Sequence, residues 1–175
     1  VRVYEWNGST WVQRGGDIDG EAAYDHSGWS VSLSSDGGIV AIGAYRNDGN
    51  GYNSGHVRVY EWNGSAWVQR GADIDGEAAY DQSGWSVSLS SDGSIVAIGA
   101  YYNDGVNGAS SGHVRVYEWN GSAWVQRGGD IDGEAEGDRS GYSVSLSSDG
   151  GIVAIGAYIN DGNGDYSGHV RVYEW

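Results

Sequence analysis

Val1-Arg2-Val3-Tyr4-Glu5-Trp6 is written again at Val57 to Trp62, at Val114 to Trp119 and at Val170 to Trp175. The steps between copies are 56, 57 and 56 residues. Positions 1–49 and 57–105 differ at only five places: Thr10/Ala66, Gly16/Ala72, His26/Gln82, Gly38/Ser94 and Arg46/Tyr102. A long, nearly perfect period marks supersecondary units that stack or form a ring, each burying its apolar face against the next. It also weighs against an enzyme, because a single active site needs one asymmetric constellation and here nearly every residue type recurs in each copy. Three repeats are expected, at 1–56, 57–113 and 114–169, with residues 170–175 opening a fourth.

Within one unit, Val1 to Trp6 alternates with period two, as a strand does, placing Val1, Val3 and Glu5 on one face and Arg2, Tyr4 and Trp6 on the other. Asn7-Gly8 is a strong hairpin signal. Trp11 to Arg14 is the return strand, and Trp6 and Trp11 are placed to pair across the turn. Gly15 to Glu21 is rich in turn formers and reads as a loop. Ser30 to Ser34 alternates again, with Val31 and Leu33 inward. Ser35 to Gly38 is a second turn. Ile39 to Ala44 is a continuous apolar run, which fits a strand buried on both faces. Arg46 to Gly55 is a loop, and its second copy carries the one-residue insertion, between Val106 and Ser111. No helical periodicity appears. The expected fold is all-β, built from tandem four-stranded antiparallel sheets resembling β-propeller blades, in an open array or as part of a larger propeller. If a blade begins at Ser30, the chain opens with the last two strands of one blade, supplies two complete blades and ends with three strands of another. Val1 to Trp6 and Val170 to Trp175 then compete for one strand position, so the chain is not expected to close on itself as a simple ring.

The net charge of -15 repels nucleic-acid phosphates and anionic membranes. No window approaches the ~18 apolar residues that span a bilayer, so membrane insertion is not expected. With no cysteine there is no disulfide framework. With no methionine, the sequence reads as a segment of a longer, mature chain.

Ser27-Gly28-Trp29-Ser30-Val31, Asp36 to Ala44 and Gly55 to Tyr60 together resemble the FG-GAP repeat, once per unit over the whole chain. That family includes the propeller blades of integrin α-chains and many microbial and algal surface proteins. Two departures stand out. The aromatic-Gly pair is replaced by Gly28-Trp29, Gly84-Trp85 and Gly141-Tyr142, and the motif's final proline by Tyr45, Tyr101 and Tyr158. The resemblance implies an extracellular or cell-surface propeller used in adhesion and implies no catalysis.

Three constellations carry candidate chemistry. Asn7, Asn63 and Asn120 head Asn-Gly-Ser sequons at hairpin tips, so N-linked glycans are one expected modification. Asp17, Asp19 and Glu21, with their copies Asp73, Asp75 and Glu77 and Asp130, Asp132 and Glu134, alternate beside a glycine and could offer several oxygens to calcium. A calcium loop usually carries a third alternating Asp or Asn before its glycine; this one lacks it, and a solvated acidic turn competes with the calcium reading. Asp25, Asp36 and Asp48 could add ligands only if the fold brings them close. His56, His113 and His169 each precede a Val-Arg-Val strand; with one His per unit and no Cys, zinc is not expected from sequence. No Gly-x-Ser-x-Gly elbow accompanies the repeated serine run Ser34-Ser35 or its equivalents. The tryptophans and tyrosines serve either sheet packing or sugar stacking, with packing the plainer expectation. The expected function is an extracellular structural or surface repeat protein, a segment of a repetitive, glycosylated fibre whose partners are other copies of itself. The alternative is a propeller adhesion module that binds a protein or glycan ligand with calcium.

Overall fold

The computed structural model describes residues 1–175 and contains strands and turns with no helix. A two-stranded hairpin, β1 (Tyr4–Trp6) and β2 (Trp11–Gln13), comes first. A full sheet follows, made of β3 (Ser30–Leu33), β4 (Ile39–Ala44), β5 (His56–Trp62), β6 (Trp67–Gln69) and β7 (Ile74–Asp75). The next full sheet repeats it as β8 (Ser86–Leu89), β9 (Ile95–Ala100), β10 (His113–Trp119), β11 (Trp124–Gln126) and β12 (Ile131–Asp132). Three strands, β13 (Ser140–Leu146), β14 (Ile152–Ala157) and β15 (His169–Glu174), form the last sheet. All strand pairings are antiparallel, between chain neighbours except that β7 returns to β5 and β12 to β10, and the first hairpin does not join the last sheet. The blade phase and the open ends are those the repeat count predicts.

Each full sheet has four strand positions, and the fourth is broken. β6 pairs with the far end of β5 and β7 with its beginning, His56↔Asp75 and Val57↔Ile74. The sequence pattern predicts a loop there. Ile74 overrides it because it is the one large apolar side chain among turn formers, and it is buried with Val57 and Val59. In the first copy the same pairing holds Ile18, whose N–H donates to Val1 O at 2.9 Å. The hairpin tip also departs from the simplest expectation. Gly8 takes φ 99°, but Asn7 is not in the left-handed region. Instead, Asn7 Oδ1 accepts from Ser9 N, Ser9 Oγ and Thr10 N at 2.9–3.0 Å, closing a four-residue turn by its side chain. Trp6 and Trp11 meet across it with ring centroids 5.6 Å apart.

The core lies between sheets. Ile39, Ala41, Val57, Val59 and Ile74 of one sheet pack on Leu89, Val96, Ile98 and Tyr117 of the next. Ala97 and Val114 do the same against Val153 and Ile155. Alternation along β4 and β5 therefore gives every sheet two apolar faces, a leading and a trailing one, which explains why Ile39–Ala44 is buried throughout. Hydrogen bonds lock the stack. Ser30 Oγ donates to Gly84 O at 2.7 Å, Leu89 N to Ser32 Oγ at 2.9 Å, and Ser35 N to Ser91 O at 2.8 Å.

Candidate functional site

The acidic motif does not gather its carboxylates into one loop cage. Asp17 accepts from Arg2 Nε and Nη2 at 3.0 Å and from Gln13 Nε2 at 2.7 Å. Asp73 and Asp130 likewise accept from Gln69 and Gln126. Asp19 and Asp75 act through their backbone carbonyls, which take Arg58 and Arg115 Nη2 at 2.7 Å, and Asp132 takes Arg171 in the same way. Asp25 is buried and accepts from Asn47 and Ala22 N. Asp36 caps its own turn, and Asp48 caps Asn53 N. These last three are occupied by other donors and do not join Asp17, Asp19 or Glu21.

Glu21 leaves the motif and meets residues of the following sheet. His56 begins β5 and is 1 % exposed. Its Nδ1 lies 3.8 Å from Glu21 Oε2 and 3.7 Å from Asp73 Oδ2, too far for a hydrogen bond to either. Glu21 Oε1 turns to Arg58 Nη1 at 3.6 Å. The next junction repeats this with Glu77, His113 and Asp130 at 3.7 and 3.9 Å. Glu134 and His169 form the same pair at 3.6 Å. Sequence reasoning missed these trios because their members are 35 or 36 and 17 residues apart and come from two copies of the repeat. The pairing of His56 with Asp75 is what brings Asp73 beside the ring.

Burial drives both interior histidines toward the neutral form. Desolvation lowers His56, with Asp73 and Glu21 opposing. Desolvation and then Arg115 lower His113 to about 4, with Asp130 opposing. A basic group lowered on folding stabilises the fold above its unfolded value of 6.5 and withdraws that stability as pH falls toward about 4. We therefore expect the unfolding free energy, measured in chelator, to fall between pH 7 and pH 5, by roughly 2 kcal/mol for His113. His113→Gln should flatten the slope. Glu77, Asp81 and Asp132, raised by burial, act in the opposite sense at the acid end.

A second feature runs across the sheets. Trp29, Tyr45, Trp85, Tyr101, Tyr142 and Tyr158 form an unbroken aromatic ladder with centroid spacings of 4.3–5.6 Å. Tyr45 and Tyr101 are buried, as the packing expectation requires, while their copy Tyr158, with Trp29 and Tyr142, stays exposed. Two of the positions that differ between copies lie against this ladder. His26 Nδ1 lies 3.1 Å from Tyr45 Oη, and Arg139, at the same position in the third copy, donates to Tyr158 Oη at 2.9 Å. Arg46 lies over Tyr45, and Tyr102 stacks on Tyr101 at 4.4 Å.

The FG-GAP repeat family matches residues 18–60, 73–117 and 131–173, most of the chain. The chain belongs to the FG-GAP repeat family. Comparison with curated proteins finds no match. Solved structures that share the fold include two distant ones. One is the periplasmic gluconolactonase PpgL of Pseudomonas aeruginosa, with TM-score 0.55, 16% identity, 99% of this chain and 46% of that one covered. The other is the hydrazine synthase of Kuenenia stuttgartiensis, with TM-score 0.51, 12% identity, 91% of this chain and 36% of that one covered. The chain thus spans less than half the length of either. At such identities the likeness concerns architecture alone: this is a β-propeller repeat module whose sheets do not close.

The sequons fall outside the matched segments, each at the exposed tip of a tryptophan-flanked hairpin. Asn63 and Asn120 repeat the Asn7 geometry, with Oδ1 accepting from Ser65 or Ser122 and the next backbone N–H. The turn therefore uses Oδ1 and leaves Nδ2, the nitrogen a glycan would occupy, outside the bonding pattern. No helix is long and apolar enough to cross a membrane.

Proposed function

We propose that this chain is a non-catalytic building segment of a repetitive structural protein displayed outside the cell, in which units pack head to tail. One observation carries this. The two ends expose opposite halves of the interface that is buried inside. Val57 is 0 % exposed between sheets, and its copy Val170 on the last sheet is 66 % exposed. Leu89 is 7 % exposed, and its copy Leu33, behind the incomplete first hairpin, is 49 % exposed. A slot of about 200 Å³ lies beside Arg127, Gly128, Tyr173 and Trp175. At the preceding junctions the matching places hold Trp67 and Trp124, whose Nε1 donates to Arg14 O and Arg70 O at 2.7 Å. A trailing face of this kind accepts another unit's leading face, whether that unit follows in one chain or comes from another copy. Such a contact is heterologous and yields a ring if its rotation closes and a fibre if not. Family membership, the acidic surface and the sequons support display outside the cell and glycosylation at Asn7, Asn63 and Asn120.

The test is sedimentation of the purified chain over a concentration series. We expect a mass that grows with concentration, and a monomer when Val172→Glu puts a charge on the trailing face. A folded wild-type chain that stays monomeric at high concentration overturns the proposal. The changes at positions 26 and 46 and their copies, which alter what lies on the aromatic ladder, favour a second reading, a propeller that binds a protein or glycan on that surface. Closed rings in electron micrographs, instead of filaments, favour this one.

A further inference from the structure

We infer that the two junction trios, Glu21/His56/Asp73 and Glu77/His113/Asp130, are zinc sites that clamp successive repeats together. The ligating atoms of each trio lie within 4.8 Å of one another. Tetrahedral Zn²⁺ with bonds of about 2.0–2.2 Å separates its ligand atoms by roughly 3.3–3.5 Å. The observed histidine-to-carboxylate distances of 3.7–3.9 Å close to that with shifts of a few tenths of an ångström.

A carboxylate pair alone would not make a site, and the histidine is the deciding group. His56 is almost wholly buried, yet its Nδ1 makes no hydrogen bond and is aimed between two carboxylate oxygens. Its Nε2 is buried and also without a partner. A buried ring with neither nitrogen bonded is costly unless something else engages it. Protonation is disfavoured, because burial lowers the ring's affinity for a proton. A cation at Nδ1 uses the free lone pair and at the same time neutralises the two facing carboxylates.

The donor set selects the metal. One imidazole with two single carboxylate oxygens suits Zn²⁺, whereas calcium takes six to eight oxygens. Glu21 and Glu77 each offer Oε2 to the site while Oε1 is held by Arg58 or Arg115, which orients the ligand from behind. The carboxylates are partly exposed, so the ion has an entry path and water can take a fourth position. Glu precedes the sheet that carries His and Asp, so the ion ties the incoming linker to that sheet. At the third junction Glu134 and His169 have no Asp partner, so the chain should hold two ions, not three.

The test is isothermal titration of the full chain with ZnCl₂, with bound metal counted after dialysis. We expect two zinc ions per chain, one after His113→Gln and none after His56→Gln with His113→Gln. His169→Gln should leave two. Thermal unfolding should shift upward with zinc in the parent and not in the double variant. Should the histidine variants fold poorly, Glu21→Gln with Glu77→Gln changes only partly exposed side chains and should likewise lose both ions. Cobalt substitution should give the intense visible absorption of a tetrahedral site. Zinc uptake that survives these substitutions, absence of uptake, or binding of calcium in place of zinc overturns the assignment.

Discussion

Gly99→Ala should cost about 3–5 kcal/mol, among the largest effects of adding a single methyl group anywhere in the chain. Gly99 lies in β9 opposite Ser86 and has ordinary strand backbone, so the cost is steric and not conformational. A Cβ built there overlaps the carbonyl oxygen of Gly141, on the neighbouring sheet, and Ser86 Oγ. Both belong to one hydrogen bond, Ser86 Oγ to Gly141 O at 2.8 Å, which the methyl group would break while forcing the sheets apart. Close-packed interiors accommodate such insertions poorly. Gly43 stands in the same relation to Ser30 and Gly84. Gly156, the third copy, supplies the control. Its Cβ would meet only Ser143, whose hydroxyl can rotate away, because no further sheet lies against it. Urea denaturation of Gly99→Ala and Gly156→Ala should therefore separate widely. Similar small losses for both would mean that the backbone contact between sheets contributes little.

The same asymmetry explains what could and could not be read from the sequence. Period-two alternation in Val-Arg-Val-Tyr-Glu-Trp and the apolar run Ile39–Ala44 are properties of one strand and its two faces, so strands, hairpins and blade phase were legible. Glu21, His56 and Asp73 lie in two copies of the repeat and come together only through the short β7 pairing, which a single apolar residue, Ile74, secures. No window of sequence contains that information. Reading the acidic motif as one loop assumed that its carboxylates act together; the structure divides them among an arginine, a backbone carbonyl contact and the next sheet's histidine. The aromatic ladder was half legible. Tyr45, Tyr101 and Tyr158 read as packing residues between sheets, which holds for the first two and not for the exposed Tyr158; that Trp29, Trp85 and Tyr142 continue the stack from sheet to sheet depends on how neighbouring sheets are offset.

Identical sequence in different surroundings permits one more measurement. Trp11 and Trp124 each sit in Trp-Val-Gln, each follows an Asn-Gly-Ser turn, and each pairs with a tryptophan across its hairpin at 5.5–5.6 Å. Trp11 is largely exposed. Trp124 packs against the core between the two full sheets, and its Nε1 donates to Arg70 O at 2.7 Å. The Arg70 guanidinium lies 5.9 Å from its ring and 5.1 Å from that of Trp119. Loss of the cross-hairpin pair is common to both substitutions and contributes about 1 kcal/mol. Trp124→Ala additionally loses inter-sheet burial and leaves a partly buried carbonyl without its donor, for a total of about 3–5 kcal/mol. The difference in denaturation midpoint between Trp124→Ala and Trp11→Ala is thus a direct measure of what one unit gains by resting on the next. A large difference makes the array cooperative across junctions, so that isolated units would not persist. Equal effects would make each hairpin self-sufficient and remove the energetic basis for head-to-tail growth.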